Sequence, residues 1–86
     1  LEEMPGLLDE VRHAIATRDA AALRLAGHTL KGTVRYFGET EVFQLAYQLE
    51  TMGRDDQLDT AAEKLARLEE ELAQLTAALR EHLQSE

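Results

Sequence analysis

The chain has 86 residues, a net charge of −8 from 17 acidic and 9 basic side chains, and no cysteine. This length allows one small domain with a single core, and the lack of cysteine excludes disulfides and thiolate metal sites. The acidic balance argues against nucleic-acid binding, which requires a basic face for phosphates. No apolar run is long enough to cross a membrane and no signal peptide is visible, so we expect no membrane contact by this domain.

The residue pattern predicts four helices and no strand. Apolar residues recur at three- and four-residue spacing, and short polar connections separate the segments. The predicted helices cover about 2–17, 20–37, 39–52 and 57–84. Short connections place successive helices antiparallel, so the expected fold is an all-α antiparallel four-helix bundle. The leucines of the last helix recur near heptad spacing, and a coiled-coil dimer built on that helix is the structural alternative.

Capping residues set the expected ends of the first three helices. Pro5 and Gly6 suit either the start of the first helix or a kink in a longer one, and the sequence does not decide between these. Asp19 is a suitable N-cap for the second helix. Gly38 and Gly53 stand where glycine C-caps would close the second and third helices.

Two residues compete as the N-cap of the last helix. One is Asp56, and the other is Thr60, with Glu63 completing a capping box. The helix then carries a long leucine stripe, which is expected to face the core at Leu58, Leu65, Leu68, Leu72, Leu75, Leu79 and Leu83.

The segment HTLKG, residues 28–32, lies in the second helix and departs from its core pattern. At 100° per residue, His28 points away from the predicted core face. The chain is acidic, yet residues 20–38 contain no acidic side chain, which indicates that anionic chemistry takes place there. Neighbours of His28 on its own face, within about 60°, are Arg24, Leu25, Lys31, Gly32 and Arg35.

Three residues of this segment combine into a chemical hypothesis. Neutral imidazole is a nucleophile near pH 7, so an exposed His28 can attack a phosphoryl group. Lys31, one turn away, can help to neutralise the charge that arrives. Gly32 is unexpected, since glycine inside a helix costs roughly 1 kcal/mol relative to alanine, but the missing side chain lets another protein approach closely.

The segment AGHTLKGTVRYFG, followed by LAYQLE, is similar to the histidine-containing phosphotransfer (HPt) domain of multistep phosphorelays. The order and lengths of the predicted helices agree with that family over nearly the whole chain, and the family fold is a four-helix bundle. One departure is Gly27, where alanine is usual; two glycines within six residues should soften the helix there. The matching positions are His28, Leu30, Lys31, Gly32, Gly38, Leu49 and Glu50.

The resemblance implies a role for four residues. His28 would be the phosphoacceptor, through Nε2, and Lys31 would support the phosphorylated state electrostatically. Gly32 would open space for the active site of the partner. Glu50, on the neighbouring helix, would hydrogen-bond Nδ1–H of His28, which fixes the tautomer and leaves Nε2 free to attack.

Five further residues are expected to contact the partner. Arg24 and Arg35 lie beside His28 on the same face. Leu25, Phe43 and Tyr47 would form an apolar docking patch around the polar centre. The alternative for the two rings is that they pack on a neighbouring helix.

The resemblance implies a phosphocarrier and not an enzyme by itself. The domain would accept a phosphoryl group from a receiver-domain aspartyl phosphate and pass it to the aspartate of another response regulator. The receiver would supply Mg²⁺, so no cofactor is expected in this domain. We expect residues 1–86 to be a single HPt domain and a monomer, excised from a cytoplasmic or membrane-tethered hybrid sensor histidine kinase.

Two other interpretations remain open from the sequence. A structural helical module for oligomerisation or scaffolding would use the leucine stripe, and His28 would be incidental. A degenerate domain would bind a receiver without chemistry, against which the intact His28 and Lys31 argue. His13 and His82 lack a Lys–Gly context and are interpreted as surface histidines.

Overall fold

The computed structural model describes residues 4–38 and 40–84. Its helices are α1 (Met4–Ala16), α2 (Ala20–Val34), α3 (Glu41–Arg54) and α4 (Ala61–Gln84), and a 3-10 turn over Arg35–Phe37 follows α2. They pack into an elongated bundle of 45 × 20 × 19 Å. The prediction of an all-α four-helix bundle is confirmed, although α2 proper ends before the predicted residue 37.

Side-chain caps and a glycine fix the ends around α2 and α3. Asp19 caps α2 as predicted, accepting a hydrogen bond from the backbone N–H of Ala22 at 3.1 Å. Gly38 closes the 3-10 turn, also as predicted, with φ 92° and ψ −171°, a region open essentially to glycine alone. The hydroxyl of Thr40 accepts from the backbone N–H of Phe43 and caps α3. This cap was not predicted from the sequence.

The predicted end of α3 at Gly53 is wrong. The helix continues to Arg54, and Gly53 lies buried inside it. The left-handed residue that ends α3 is Asp56, with φ 54°, and the N–H of Gln57 donates to the carbonyl of Met52 at 2.9 Å. Aspartate tolerates this conformation, so the turn did not need the glycine.

Asp56 is therefore not the N-cap of α4, and the predicted helix start at residue 57 is too early. The helix begins at Ala61, directly after Thr60, which was the competing N-cap. The backbone N–H of Lys64 donates to the carbonyl of Thr60 at 3.1 Å. Residues 57–60 are instead part of the connection that brings α4 back along α3.

One apolar core fills the bundle. The leucine stripe of α4 takes part in it as far as Leu72, after which Leu75 is half-buried and Leu79 is exposed. In the described ranges no helix combines the length and apolarity needed to span a bilayer. The largest fully buried side chains are Leu23, Leu30, Leu49, Leu68, Val11, Val34 and Val42.

Pro5 lies in the first described turn of α1, and the helix runs on from there to Ala16. The choice between a helix start and a kink depends on residues 1–3, which lie outside the described part of the chain. Several predictions fall outside what the structure describes. They concern helix residues 2 and 3, the helix start at Glu39, and the side chains of Phe37, His82 and Leu83.

Candidate functional site

Helices α2 and α3 approach each other closely at two glycines. Gly27 on α2 is buried, and a Cβ atom there would lie 2.7 Å from the backbone nitrogen of Glu50. Gly53 on α3 is also buried, and a Cβ atom there would lie 2.7 Å from the Cα atom of Arg24. Gly27 was predicted to soften α2, but the lack of room for a side chain at this position was not predicted.

His28 follows Gly27 and points outward from this interface. Its side chain is 64% exposed. The Nδ1 atom lies 3.0 Å from Oε2 of Glu50, so a hydrogen bond to α3 holds the ring. Because a carboxylate can only accept, Nδ1 carries the proton, and in the neutral ring Nε2 carries none.

Lys31 lies one turn after His28 and turns toward α3. Its Nζ atom is 2.6 Å from Oε1 of Glu50 and 4.9 Å from the ring centroid of Tyr47. Oε1 is buried, and its contact with Lys31 is an ion pair without hydrogen-bond alignment. Lys31 was predicted on the exposed face of α2, but its side chain is only 23% exposed, because the carboxylate and the ring both attract the ammonium group.

Glu50 is the shared partner of the imidazole and the ammonium group. Its side chain is largely buried beneath them. Burial by itself raises the pKa of Glu50, but the contacts with Lys31 and with His28 outweigh burial and hold the pKa below its ordinary value. Glu50 is therefore a carboxylate at neutral pH, able to orient the ring and to balance a positive charge on it.

The surface beside His28 is open. A Cβ atom at Gly32 would meet nothing within 4 Å, so internal packing does not explain this glycine. Leu25 lies on this surface and is 62% exposed. Arg24 and Arg35 are exposed too, and neither forms an ion pair within residues 4–38 and 40–84.

The two rings of α3 have different surroundings. Tyr47 is exposed at 46% beside the ammonium group of Lys31. Phe43 is half-buried and packs against the core, which is the alternative that the sequence left open for it. Tyr36, to which the sequence analysis assigned no role, projects from the 3-10 turn and is exposed.

Of the other two histidines, His13 can be placed, and it is exposed on α1. It lines a surface groove of about 610 Å³ between α1 and α2, together with Asp9, Glu10 and Thr17. In the part of the chain that the structure describes, no group of three or more histidine, aspartate or glutamate side chains could hold a metal ion.

The cluster of an exposed histidine, a lysine one turn on and a carboxylate from the next helix agrees with a comparison at the family level. The family model of the Hpt domain matches residues 1–78. The chain belongs to the Hpt domain family. Hpt domains are phosphocarriers of phosphorelay signalling, not catalytic domains, and they interact with response-regulator receiver domains. Neither a curated protein nor a solved structure matches the chain significantly.

Proposed function

We propose that this Hpt domain carries a phosphoryl group on His28 between the aspartates of two receiver domains. The observation that carries the proposal is the exposed imidazole whose Nδ1 atom is held by Glu50 at 3.0 Å. This hydrogen bond directs the lone pair of the neutral ring to Nε2. A histidine that had no task on this surface would not need its tautomer fixed by a buried carboxylate.

Nε2 is the nucleophile in the proposed reaction. Its lone pair forms the N–P bond while the P–O bond to the receiver's aspartate breaks, and the aspartate leaves as a carboxylate with the electron pair. The ring becomes positively charged with its proton still on Nδ1, and the Glu50 carboxylate balances that charge. Transfer to a second aspartate is the same displacement in the opposite direction.

Lys31 supplies a positive charge one turn from the nucleophile. Glu50 and Tyr47 hold this charge in the unphosphorylated protein. A phosphoryl group on Nε2 brings further negative charge close to Glu50, and Lys31 lowers the repulsion between the two anions. Lys31 thus supports the phosphorylated state without being a metal ligand or a nucleophile.

The open surface around His28 is the proposed docking surface for the receiver. Gly32 leaves room for the partner's backbone to come close to the imidazole. Cations on this surface attract the acidic pocket of a receiver, and apolar side chains supply contact area. The proposed contacts are Arg24, Arg35, Leu25, Tyr47 and the exposed part of Phe43.

The setting of the domain is part of the same proposal. The receiver supplies the Mg²⁺ ion, and this domain contributes only protein side chains. The domain acts as a monomer in the cytoplasm, as one part of a hybrid sensor histidine kinase. The family membership supports the phosphorelay setting.

Phosphate transfer from a radiolabelled, aspartyl-phosphorylated receiver in the presence of Mg²⁺ tests the proposal. We expect the domain to take up a label that is stable in base and labile in acid, as a phosphoramidate is. The His28→Gln variant should take up none, because an amide has no comparable nucleophile. Peptide mapping by mass spectrometry should place the phosphoryl group on the segment that contains His28.

His13→Gln is the matched control, since it removes the same functional group from another exposed site. It should keep the full extent of labelling. Label that persists in His28→Gln, or that is lost equally in both variants, would rule out His28 as the acceptor. An obligate dimer in sedimentation, together with no label, would favour a structural module.

A further inference from the structure

The two close contacts between α2 and α3 are reciprocal. Gly27 faces the backbone of Glu50, and three residues earlier on the same helix Arg24 lies against Gly53. Because the helices run antiparallel, the two contacts lie one turn apart. Helix α2 contributes the glycine to one contact, and α3 contributes the glycine to the other. Each glycine therefore meets the backbone of a residue that belongs to the proposed site on the opposite helix.

The contacts are with backbone atoms, which cannot turn aside as a flexible side chain can. A Cβ atom at Gly27 would lie 2.7 Å from the nitrogen, 2.9 Å from the Cα atom and 3.2 Å from the Cβ atom of Glu50. At Gly53 a Cβ atom would also meet the carbonyl oxygen of Ala20 at 2.8 Å. Separations of 3.5–4.0 Å are normal for carbon atoms in contact, so any side chain at either position forces the helices apart.

This spacing determines whether the carboxylate of Glu50 can reach the imidazole. Gly27 and His28 are consecutive, so the closest point between the helices lies directly beside the hydrogen bond. The Nδ1 to Oε2 distance of 3.0 Å is ordinary for an N–H···O hydrogen bond, whose range ends at about 3.2 Å. Moving α3 outward by even a few tenths of an ångström would weaken this bond.

We propose that Gly27 is a positioning residue for phosphotransfer: it sets the distance from α3 to α2 so that Glu50 holds the Nδ1–H tautomer of His28. Gly53 maintains the same spacing one turn further along. The expected effect on the rate of phosphoryl transfer rests on the proposed function, but the expected effect on the His28 tautomer can be measured on the free protein. Nothing in it requires a new contact with the receiver.

The Gly27→Ala variant tests the proposal through two measurements. The first is the ¹⁵N chemical shifts of the two imidazole nitrogens of His28, which report the tautomer; we expect Gly27→Ala to shift the neutral ring away from the Nδ1–H form. The second is the rate of phosphate uptake from a phosphorylated receiver, which should fall between about tenfold and a hundredfold for a misplaced orienting group.

Two matched glycine-to-alanine controls separate spacing from helix propensity. Gly32→Ala changes the same helix five residues on, where a Cβ atom meets nothing within 4 Å, and should leave the His28 tautomer unchanged. Gly6→Ala lies on α1 in open space and should leave both tautomer and transfer rate unchanged. A tautomer shift in either control would show that the ring responds to something other than the α2–α3 distance.

A double-mutant cycle asks whether Gly27 acts through Glu50. In a Glu50→Ala background, adding Gly27→Ala should change the transfer rate by less than about twofold. An undiminished effect in that background would overturn the proposal, as would a native tautomer in a folded Gly27→Ala protein. If Gly27→Ala does not fold, Glu50→Asp opens a similar gap by shortening the side chain, and a native tautomer in that variant would overturn the proposal.

The two readouts also separate this inference from the proposed function. If the native domain takes up no phosphate from the receiver, the proposed function fails, while the tautomer measurement on the variants still decides the positioning role. If transfer occurs and the tautomer does not respond to Gly27→Ala, only the positioning role fails.

Discussion

The α2–α3 pair and the α1–α4 pair are held together in different ways. At α2–α3 the backbones themselves come into contact at Gly27 and Gly53. At α1–α4 a pair of long side chains bridges the surface: Arg12 meets Glu69 at 2.7 Å, and the two side chains are 51% and 39% exposed. Backbone contacts fix a distance, whereas long side chains can follow a helix that moves.

The candidate site lies on the pair with the fixed distance. Its hydrogen bond joins His28 on α2 to Glu50 on α3, and its ion pair joins Lys31 to the same carboxylate. Both contacts depend on the separation of those two helices. The α1–α4 pair bears no such cluster in the residues that the structure describes, and its exposed ion pair between Arg12 and Glu69 tolerates adjustment. The comparison predicts that equal substitutions have unequal effects on the two pairs.

The largest expected difference comes from placing alanine at Gly53 and at Gly6. Gly53→Ala forces a methyl group against the backbone of α2 and should lower the free energy of unfolding by about 1–3 kcal/mol. Gly6→Ala has open space in α1 and should raise it by up to about 1 kcal/mol, as alanine usually does in a helix. Urea unfolding followed by circular dichroism measures both. Equal effects of the two substitutions on the free energy of unfolding would contradict the proposed difference between the two helix pairs.

A smaller effect is expected from the carboxylate between α2 and α3. The pKa of Glu50 in the folded protein lies below its ordinary value of 4.5, so its ionisation stabilises the fold above that pH, and this stabilisation is lost as the pH falls through the lowered pKa. Glu50→Gln should cost about 1 kcal/mol at pH 7, chiefly by removing the ion pair with Lys31. The difference between the two proteins should be smaller at pH 3 than at pH 7, because the unfolded chain binds a proton at Glu50 once the pH falls below the ordinary pKa of 4.5.

Urea unfolding of both proteins at the two pH values provides the measurement. The quantity to compare is the difference in free energy of unfolding between variant and native protein, because the contributions of the other carboxylates cancel in that difference. A difference that stays constant down to pH 3, or that grows as the pH falls, would contradict the lowered pKa of Glu50.

The smallest effect is expected at an exposed ion pair between the connection that follows α1 and the connection that precedes α4. Arg18 and Asp59 pair at 3.2 Å, but their side chains are 65% and 93% exposed. Asp59→Asn keeps the shape and removes the charge, and should change the free energy of unfolding by at most about 0.5 kcal/mol. Added salt should erase the difference, since water and ions screen exposed pairs. A loss as large as that for Glu50→Gln would show that this exposed pair stabilises the fold as much as the largely buried carboxylate does.

The sequence predicts the fold well because helix periodicity and loop length are local properties. The number of helices, the Asp19 cap and the Gly38 end follow from short stretches. The end of α3 was predicted wrongly because Gly53 is required by the close approach of α2 and not by the end of the helix. A glycine between two helices and a glycine at a helix end look alike until the packing partner is known.

The same limit applies to the site. The spacing of His28, Lys31 and Gly32 placed them on one side of α2, and the family resemblance brought in Glu50. The rotation of Lys31 toward Tyr47 and the burial of Phe43 depend on how α3 is turned, which one sequence does not specify. The reciprocal glycine contacts could have been suspected from one signal, a glycine at position 27 where the family usually has alanine.

The turns after α1 and α3 are positions where substitution could raise the free energy of unfolding of this chain. Arg18 and Asp56 adopt left-handed backbone angles, with φ 53° and 54°, at positions where many helices place glycine. An arginine in this conformation is strained by about 1 kcal/mol, so replacing Arg18 by a residue that tolerates it should stabilise the fold. Neither turn contains a residue of the candidate site, so substitutions there could stabilise the scaffold while the proposed docking surface is varied separately.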